Sequence, residues 1–196
     1  MNTNTTSGAR LPDGAQYLIV VDLEATCSND NSVPRDHMEI IEIGAVLVDT
    51  NDLSVEDEFQ SFVQPVRRPQ LTAFCTELTG ITQDMVADAA TFPEAITAFK
   101  DWMSPGKRHA MFGSWGDYDR KQFAQDCRHH TVDYPMPAHI NLKQKFSDRQ
   151  GRRKRYGMAG ALRLCGLALE GDHHRAFDDA RNISKLLPWI IGDEKL

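Results

Sequence analysis

YLIVVDLEATC, residues 17–27, is an apolar, β-branched run that ends on two acids, Asp22 and Glu24. Its composition predicts a buried strand, because no polar residue interrupts Leu18 to Val21. On an extended chain residues i and i+2 project from the same face, so the two carboxylates meet where the strand leaves the core. Unpaired buried charge is costly, and two acids side by side need something positive between them.

The neighbouring segments supply a sheet for this strand. MEIIEIGAVLVD (residues 38–49) is a longer apolar run, and EFQSFVQPV (residues 58–66) alternates before Pro65. Three strands in succession predict a sheet that opens with antiparallel pairing and is centred on the first strand. Between residues 68 and 104, Gly80 and Pro93 punctuate short helices, the last amphipathic through Phe92, Ile96, Phe99 and Trp102. HAMFGSW (109–115) reads as a fourth strand, DYDRKQFAQDC (117–127) as a helix and HINL (139–142) as a fifth strand. Helices follow at MAGALRLCGL (158–167) and from about Phe177 to Ile190, with Pro188 ending or kinking the last turn. The order predicts an α/β fold, a mixed five-stranded sheet between helices, with a site at the carboxyl end of the central strand.

At 196 residues, 41% hydrophobic and 26% charged, the chain fits one domain. Residues 1–15 are polar and lack an apolar core, so they read as a flexible tail rather than a signal peptide or anchor, and residues 16–196 as the domain. No run approaches the ~20 apolar residues of a spanning helix. This predicts no membrane association, with the cytoplasm as the default location. Cys27, Cys75, Cys127 and Cys165 are spaced neither for a disulfide framework nor for zinc, and Cys127 with His129 and His130 lacks ligand spacing. The net charge of −6 argues against non-specific coating of nucleic acid, yet residues 143–163 hold eight bases against Asp148 alone. Such segregation suits an anionic metal pocket beside a cationic phosphate track, with Arg152 and Arg153 at its heart.

Two more acidic spots fall near the end of the first strand: Asp117 and Asp119 after the fourth strand, and Asp178 and Asp179 opening the last helix behind His173 and His174. Each alone has an ordinary reading as a helix cap, a first-turn acid or a surface histidine. Together, oxygen-rich ligands suit hard cations such as Mg²⁺ or Mn²⁺.

DLEATC (22–27), FCTELTGIT (74–82), GSWGDYDRKQF (113–123) and HRAFDDARNI (174–183) resemble the successive motifs of the DEDD exonucleases with histidine in the third motif. Within them the chain is most similar to the 3′-5′ exoribonuclease branch that includes histone-mRNA and small-RNA trimming enzymes and the KapD-like proteins. The resemblance runs from Tyr17 to Leu187 and implies a ribonuclease H-like fold. It implies two metal ions, Mg²⁺ with Mn²⁺ as the alternative, held by Asp22, Glu24, Asp119 and Asp179, with His174 as general base. The family's second acid follows an aromatic residue and precedes an apolar one by four, which favours Asp119 over Asp117, although GSWGDYD is two residues longer than the simple Ser-Trp-Asp form. The family histidine stands five residues before its acid, which pairs His174 with Asp179 and leaves His173 and Asp178 as neighbours. By the same resemblance Phe74, Leu78 and Tyr118 cradle the terminal base, and backbone at Glu24 and Ala25 contacts the terminal nucleotide. The implied reaction is hydrolysis of single-stranded RNA or DNA from its 3′ end, releasing nucleoside 5′-monophosphates. The alternatives are a DNA exonuclease of proofreading type and a catalytically silent RNA-binding module that kept the fold. A cysteine hydrolase built on Cys27 lacks any local feature that lowers a thiol pKa.

Overall fold

The computed structural model describes residue 11, residues 14–103 and residues 109–196. The opening run forms strand β1 (Tyr17–Ala25), and the next two form β2 (Ile40–Asp49) and β3 (Val55–Gln64). Helices α1 (Ala73–Thr79) and α2 (Gln83–Ala87) follow, then β4 (Ala90–Thr91), α3 (Phe92–Met103), β5 (Ala110–Ser114), α4 (Tyr118–His130) and β6 (His139–Asn141). Four helices complete the chain: α5 (Leu142–Arg149), α6 (Met158–Leu164), α7 (Ala176–Ser184) and α8 (Leu187–Ile190).

The sheet has six strands in the order β4-β3-β2-β1-β5-β6, with β1 to β3 antiparallel and β5 and β6 parallel to β1. The sixth, absent from the expected five, is the two-residue β4, which pairs with Val63 and Gln64 and is too short to carry any periodicity. β1 lies between β2 and β5, and its alternation divides the core. Ile19, Val21 and Leu23 face α3 and α4, while Leu18 and Val20 face the layer of α5 to α8. Asp22 and Glu24 continue the second row, so both point toward α7.

Two further elements depart from the sequence reading. α5 starts at Leu142, which the sequence reading gave to the fifth strand, and runs into the basic segment because Asn141 caps it, accepting from Gln144 N–H at 2.9 Å, and because Leu142 and Phe146 bury one turn apart. The last helix is two helices, broken at Lys185 and Leu186, with Pro188 in the first turn of α8, where its missing N–H costs nothing. Most of the expected tail lies outside the described residues; Leu11 is buried in the core on the α5 to α8 side. Among the described residues no helix is long and apolar enough to cross a membrane.

Candidate active site

Asp22, Glu24 and Asp179 bring carboxylate oxygens within 4.8 Å of one another at the carboxyl end of β1. Two strands and a helix produce this. β1 supplies two acids from one face, and α7 supplies the third because its first turn lies directly on β2. A Cβ on Gly44 would stand 2.2 Å from the backbone carbonyl carbon of Ala176, so only glycine admits this approach. Two residues earlier on the same face, fully buried Glu42 accepts from Ala176 N–H at 3.0 Å and from the Arg175 guanidinium at 3.1 and 3.2 Å. Gln60 donates to it at 2.7 Å. Glu42 thus holds the start of α7 against the sheet, and it stands opposite Glu24 in the β1–β2 register.

Asp119 stands behind this trio. It is buried at the first turn of α4 and accepts from Leu23 N–H of β1 at 3.1 Å. Asp117, its rival, is exposed; it accepts from Asn141 at 3.2 Å and sits beside Arg120, away from the acid cluster. Asp178 is equally distinct from Asp179. It accepts from Asp172 N–H at 2.9 Å and secures the turn at Gly171, where φ is +71° and a Cβ would strike its carboxylate.

The histidines are arranged differently from expectation. The ring on Asp179 is that of His173, with Nδ1 at 3.0 Å, not that of His174. His174 adopts a left-handed backbone, φ +66°, which aims its N–H at the same carboxylate at 3.1 Å. The two rings stack with centroids 4.0 Å apart, so His173 is part of the cluster and not a bystander.

Burial, then Asp119, Glu24 and Asp179 in that order, raises the Asp22 carboxyl well above its usual range. Burial and then Asp179 and Glu42 push Glu24 up to about 9. Burial raises Asp119 to about 6, opposed by hydrogen bonds that include the Ser114 hydroxyl and Leu23 N–H. An acid whose folded pKa is raised stabilises the fold below its unfolded value and loses that contribution as pH rises through the folded value. The metal-free protein should therefore lose thermal stability as pH rises from ~4, the Asp119 share levelling off at about pH 6 and the Glu24 share continuing to about pH 9. Thermal unfolding in chelator checks this, and divalent cations should remove the drop; a flat profile in chelator would mean the acids are not mutually destabilising.

Beside the acids, Thr72 caps α1 by accepting from Cys75 N–H at 3.0 Å and donates to the Cys27 carbonyl at 2.6 Å, tying α1 to the end of β1. Phe74 is then half-buried and Leu78 exposed, outside the core clusters. Tyr118 is partly exposed under the Arg35 guanidinium, 5.8 Å from the ring centroid. Ala25 is buried beside a register shift after Glu24. Buried Glu39, which sequence reading passed over, accepts from the N–H groups of Val66, Arg67 and Arg68 at 2.9 to 3.0 Å and shapes the loop into α1.

Residues 19–187 match the family model described as Exonuclease, RNase_T. The chain is 33% identical over 188 residues to 3′-5′ exoribonuclease 1 of Homo sapiens, covering 90% of this chain and 53% of that protein. It is 32% identical over 216 residues to ERI1 exoribonuclease 2 of Xenopus laevis, covering 97% of this chain and 31% of that one. The chain therefore spans from about a third to about half the length of these relatives. The solved nuclease domain of 3′hExo, described as a DEDDh family member bound to rAMP, superposes with a TM-score of 0.83 at 32% identity, over 94% of this chain and 99% of that domain.

Proposed function

The chain belongs to the exonuclease family, and from that membership we propose that it removes nucleotides from the 3′ end of single-stranded nucleic acid, RNA in preference to DNA, leaving nucleoside 5′-monophosphates. The observation that carries this reading is the convergence of Asp22, Glu24 and Asp179 within 4.8 Å, with Asp119 behind them. Acids that burial and mutual repulsion raise above their ordinary range form a site short of positive charge, which fits divalent cations. Asp22, Glu24, Asp119 and Asp179 would hold them, and an all-oxygen donor set suits Mg²⁺, with Mn²⁺ as the alternative. When bound, the ions supply a nucleophilic water at neutral pH and positive charge at the leaving 3′ oxygen.

The chain's own residues do the rest. His174 accepts the proton of the attacking water on an imidazole nitrogen, and burial followed by the neighbouring His173 lowers its pKa, which favours the neutral form this requires. Phe74, Leu78 and Tyr118 offer apolar surface for the terminal base, where stacking on an aromatic ring is worth ~1–3 kcal/mol. Four unbridged cysteines suit a reducing compartment such as the cytoplasm.

The test is to incubate the protein with 3′- or 5′-labelled single-stranded RNA, single-stranded DNA and duplex, with Mg²⁺, Mn²⁺ or chelator. RNA should shorten fastest from its 3′ end, to 5′-monophosphates, and chelator should stop it. Faster cleavage of DNA would favour the proofreading type, and tight binding without cleavage the silent module.

The upstream strand needs a track, and the loop after α5 supplies exposed positive charge. Its backbone is pinned by Arg152 N–H to the Ser147 carbonyl at 2.7 Å and by Trp115 Nε1 to the Tyr156 carbonyl at 3.0 Å. Arg155 folds back onto Gln144 and Asp148 at 2.6 and 3.1 Å, while the Arg152 and Arg153 side chains remain exposed, without an ion pair among the described residues. Replacing Arg152 and Arg153 by glutamine should flatten the log-log salt dependence of binding to a long RNA by ~1.4, at ~0.7 per phosphate contact. Binding of a dinucleotide should not change. Fluorescence titrations against salt in an Asp179→Asn background check this, and an unaltered slope would make the loop a solvated surface.

A further inference from the structure

The imidazole of His173 has no task in the reaction above, yet it stands on one of the acids. Among the described residues, His173, His174 and Asp179 form a second ligand cluster, in which a ring nitrogen of each histidine and a carboxylate oxygen all lie within 4.8 Å of one another. Nδ1 of His173 is 3.0 Å from one Asp179 oxygen and 3.3 Å from the other, and His174 N–H reaches the same carboxylate at 3.1 Å. Adjacent side chains on an extended chain point to opposite sides. At His174 the backbone is left-handed instead, φ +66°, a conformation uncommon outside glycine, and the two rings lie 11° from parallel with centroids 4.0 Å apart.

This donor set differs from that of the acids at the end of β1. Two imidazoles and one carboxylate suit a borderline cation such as Zn²⁺, whereas Mg²⁺ prefers oxygen throughout. Zn²⁺ takes its ligands tetrahedrally at ~2.1 Å, which sets the ligand atoms ~3.4 Å apart. The His173–Asp179 pair already stands near that spacing, and the other separations, at most 4.8 Å, close by a tilt of the outer ring. The His173 side chain is 43% exposed against 7% for Asp179, so an ion can enter from solvent and keep a water as its fourth ligand.

We propose that His173, His174 and Asp179 form a zinc site that overlaps the nuclease site and turns it off. An ion held there occupies the His174 imidazole and the Asp179 carboxylate, both of which the reaction needs free. The site itself stands on the geometry of these three side chains, while its effect on cleavage rests on the proposed roles of His174 and Asp179.

The experiment measures Zn²⁺ binding to the metal-free protein by competition with a chromophoric chelator, in an Asp22→Asn, Glu24→Gln background that removes the neighbouring acids. A single ion should bind, and Co²⁺ in its place should give the strong visible absorption of a tetrahedral site. His173→Phe keeps a ring beside His174 without a ligand nitrogen. It should weaken Zn²⁺ binding by at least ~10-fold, since losing even an outer partner of a ligand changes affinity by ~10–100-fold, and it should abolish the cobalt absorption. Unchanged affinity in His173→Phe would overturn the proposal, as would a folded Asp22→Asn, Glu24→Gln protein that binds no Zn²⁺. Should thermal melting show that background unfolded, the comparison of His173→Phe with the parent chain decides in the same way. In cleavage of labelled RNA at saturating Mg²⁺, Zn²⁺ should inhibit, and the half-inhibiting concentration should rise at least ~10-fold in His173→Phe, each protein being compared with its own zinc-free rate. Zn²⁺ bound through His173 without inhibition would overturn the off-switch. Failure of the parent to cleave RNA would count against the proposed activity and leave the binding results standing.

Discussion

Asp179→Asn should cost at least ~100-fold in turnover, beyond the ~10–100-fold typical of an outer partner, and yet leave a metal-free protein at least as stable as the parent. The carboxylate shares its space with Asp22 and Glu24 within 4.8 Å, and asparagine offers one neutral oxygen where two charged ones stood. Burial raises the Asp179 carboxyl above its ordinary range, so the stability it contributes is present at low pH and lost as pH rises through its folded value. Asparagine has no charge to lose, and its oxygen can still accept from His174 N–H, now 3.1 Å from the carboxylate. At pH 8 in chelator the variant should therefore melt no lower than the parent, and Mg²⁺ should raise the melting temperature of the parent alone. If Asp179 were only a first-turn acid favoured by the helix dipole, worth ~0.3–1 kcal/mol, the signs would reverse: stability would fall and activity would persist. Single-turnover cleavage of labelled RNA together with thermal melts separates the two.

The parts of this site legible in the sequence are those whose chemistry contradicts their surroundings. Asp22 and Glu24 stand out because acids end an apolar run, and the four motifs place Asp119 and Asp179 by spacing. Glu42 carries the same contradiction, an acid inside IIEIGAV, but its meaning lies in partners 133 and 134 residues away, Arg175 and Ala176, that only the packed sheet brings to it. Spacing pairs His174 with Asp179, but it does not show that the His173 ring also contacts that carboxylate while His174, in a left-handed backbone, turns its N–H to it. α5 is obscured because two buried apolar side chains, Leu142 and Phe146, are a weak signal among Lys143, Lys145 and Arg149. β4 owes its existence to its neighbour β3 alone. Local pattern thus carries the strands and the ligands, while the groups that orient the ligands are tertiary.

Gly44→Ala tests that division most severely, because it adds one methyl group to a residue with no chemistry of its own. Gly44 pairs with Asp22 across β1 and β2, and its missing side chain is what lets α7 rest on the sheet. The added Cβ would meet Ala176 C at 2.2 Å, Ala176 O at 2.3 Å and Phe177 N at 2.3 Å. All three are backbone atoms, so no rotamer relieves the clash and the start of α7 must lift. Lifting works against the Glu42 contacts to Ala176 and Arg175, and it carries His174 and Asp179 away from Asp22 and Glu24. Overpacking of this kind costs ~1–3 kcal/mol of stability. The activity loss should be far greater, because a ~1 Å misplacement of reacting groups can cost ~100-fold. Gly113→Ala is the comparison on β5: its Cβ would meet only side-chain atoms, Leu142 Cδ1 at 2.9 Å, Leu142 Cγ at 3.1 Å and Leu18 Cδ1 at 3.1 Å, so two buried leucines must give while no backbone moves. It should lose stability by overpacking yet keep most of its turnover. Both variants should be compared at saturating Mg²⁺ by thermal melting and by 3′-end cleavage of labelled RNA. Parental turnover in folded Gly44→Ala would show that α7 can move without disturbing the acids, and the account of Glu42 and Gly44 as the seat of Asp179 would fall.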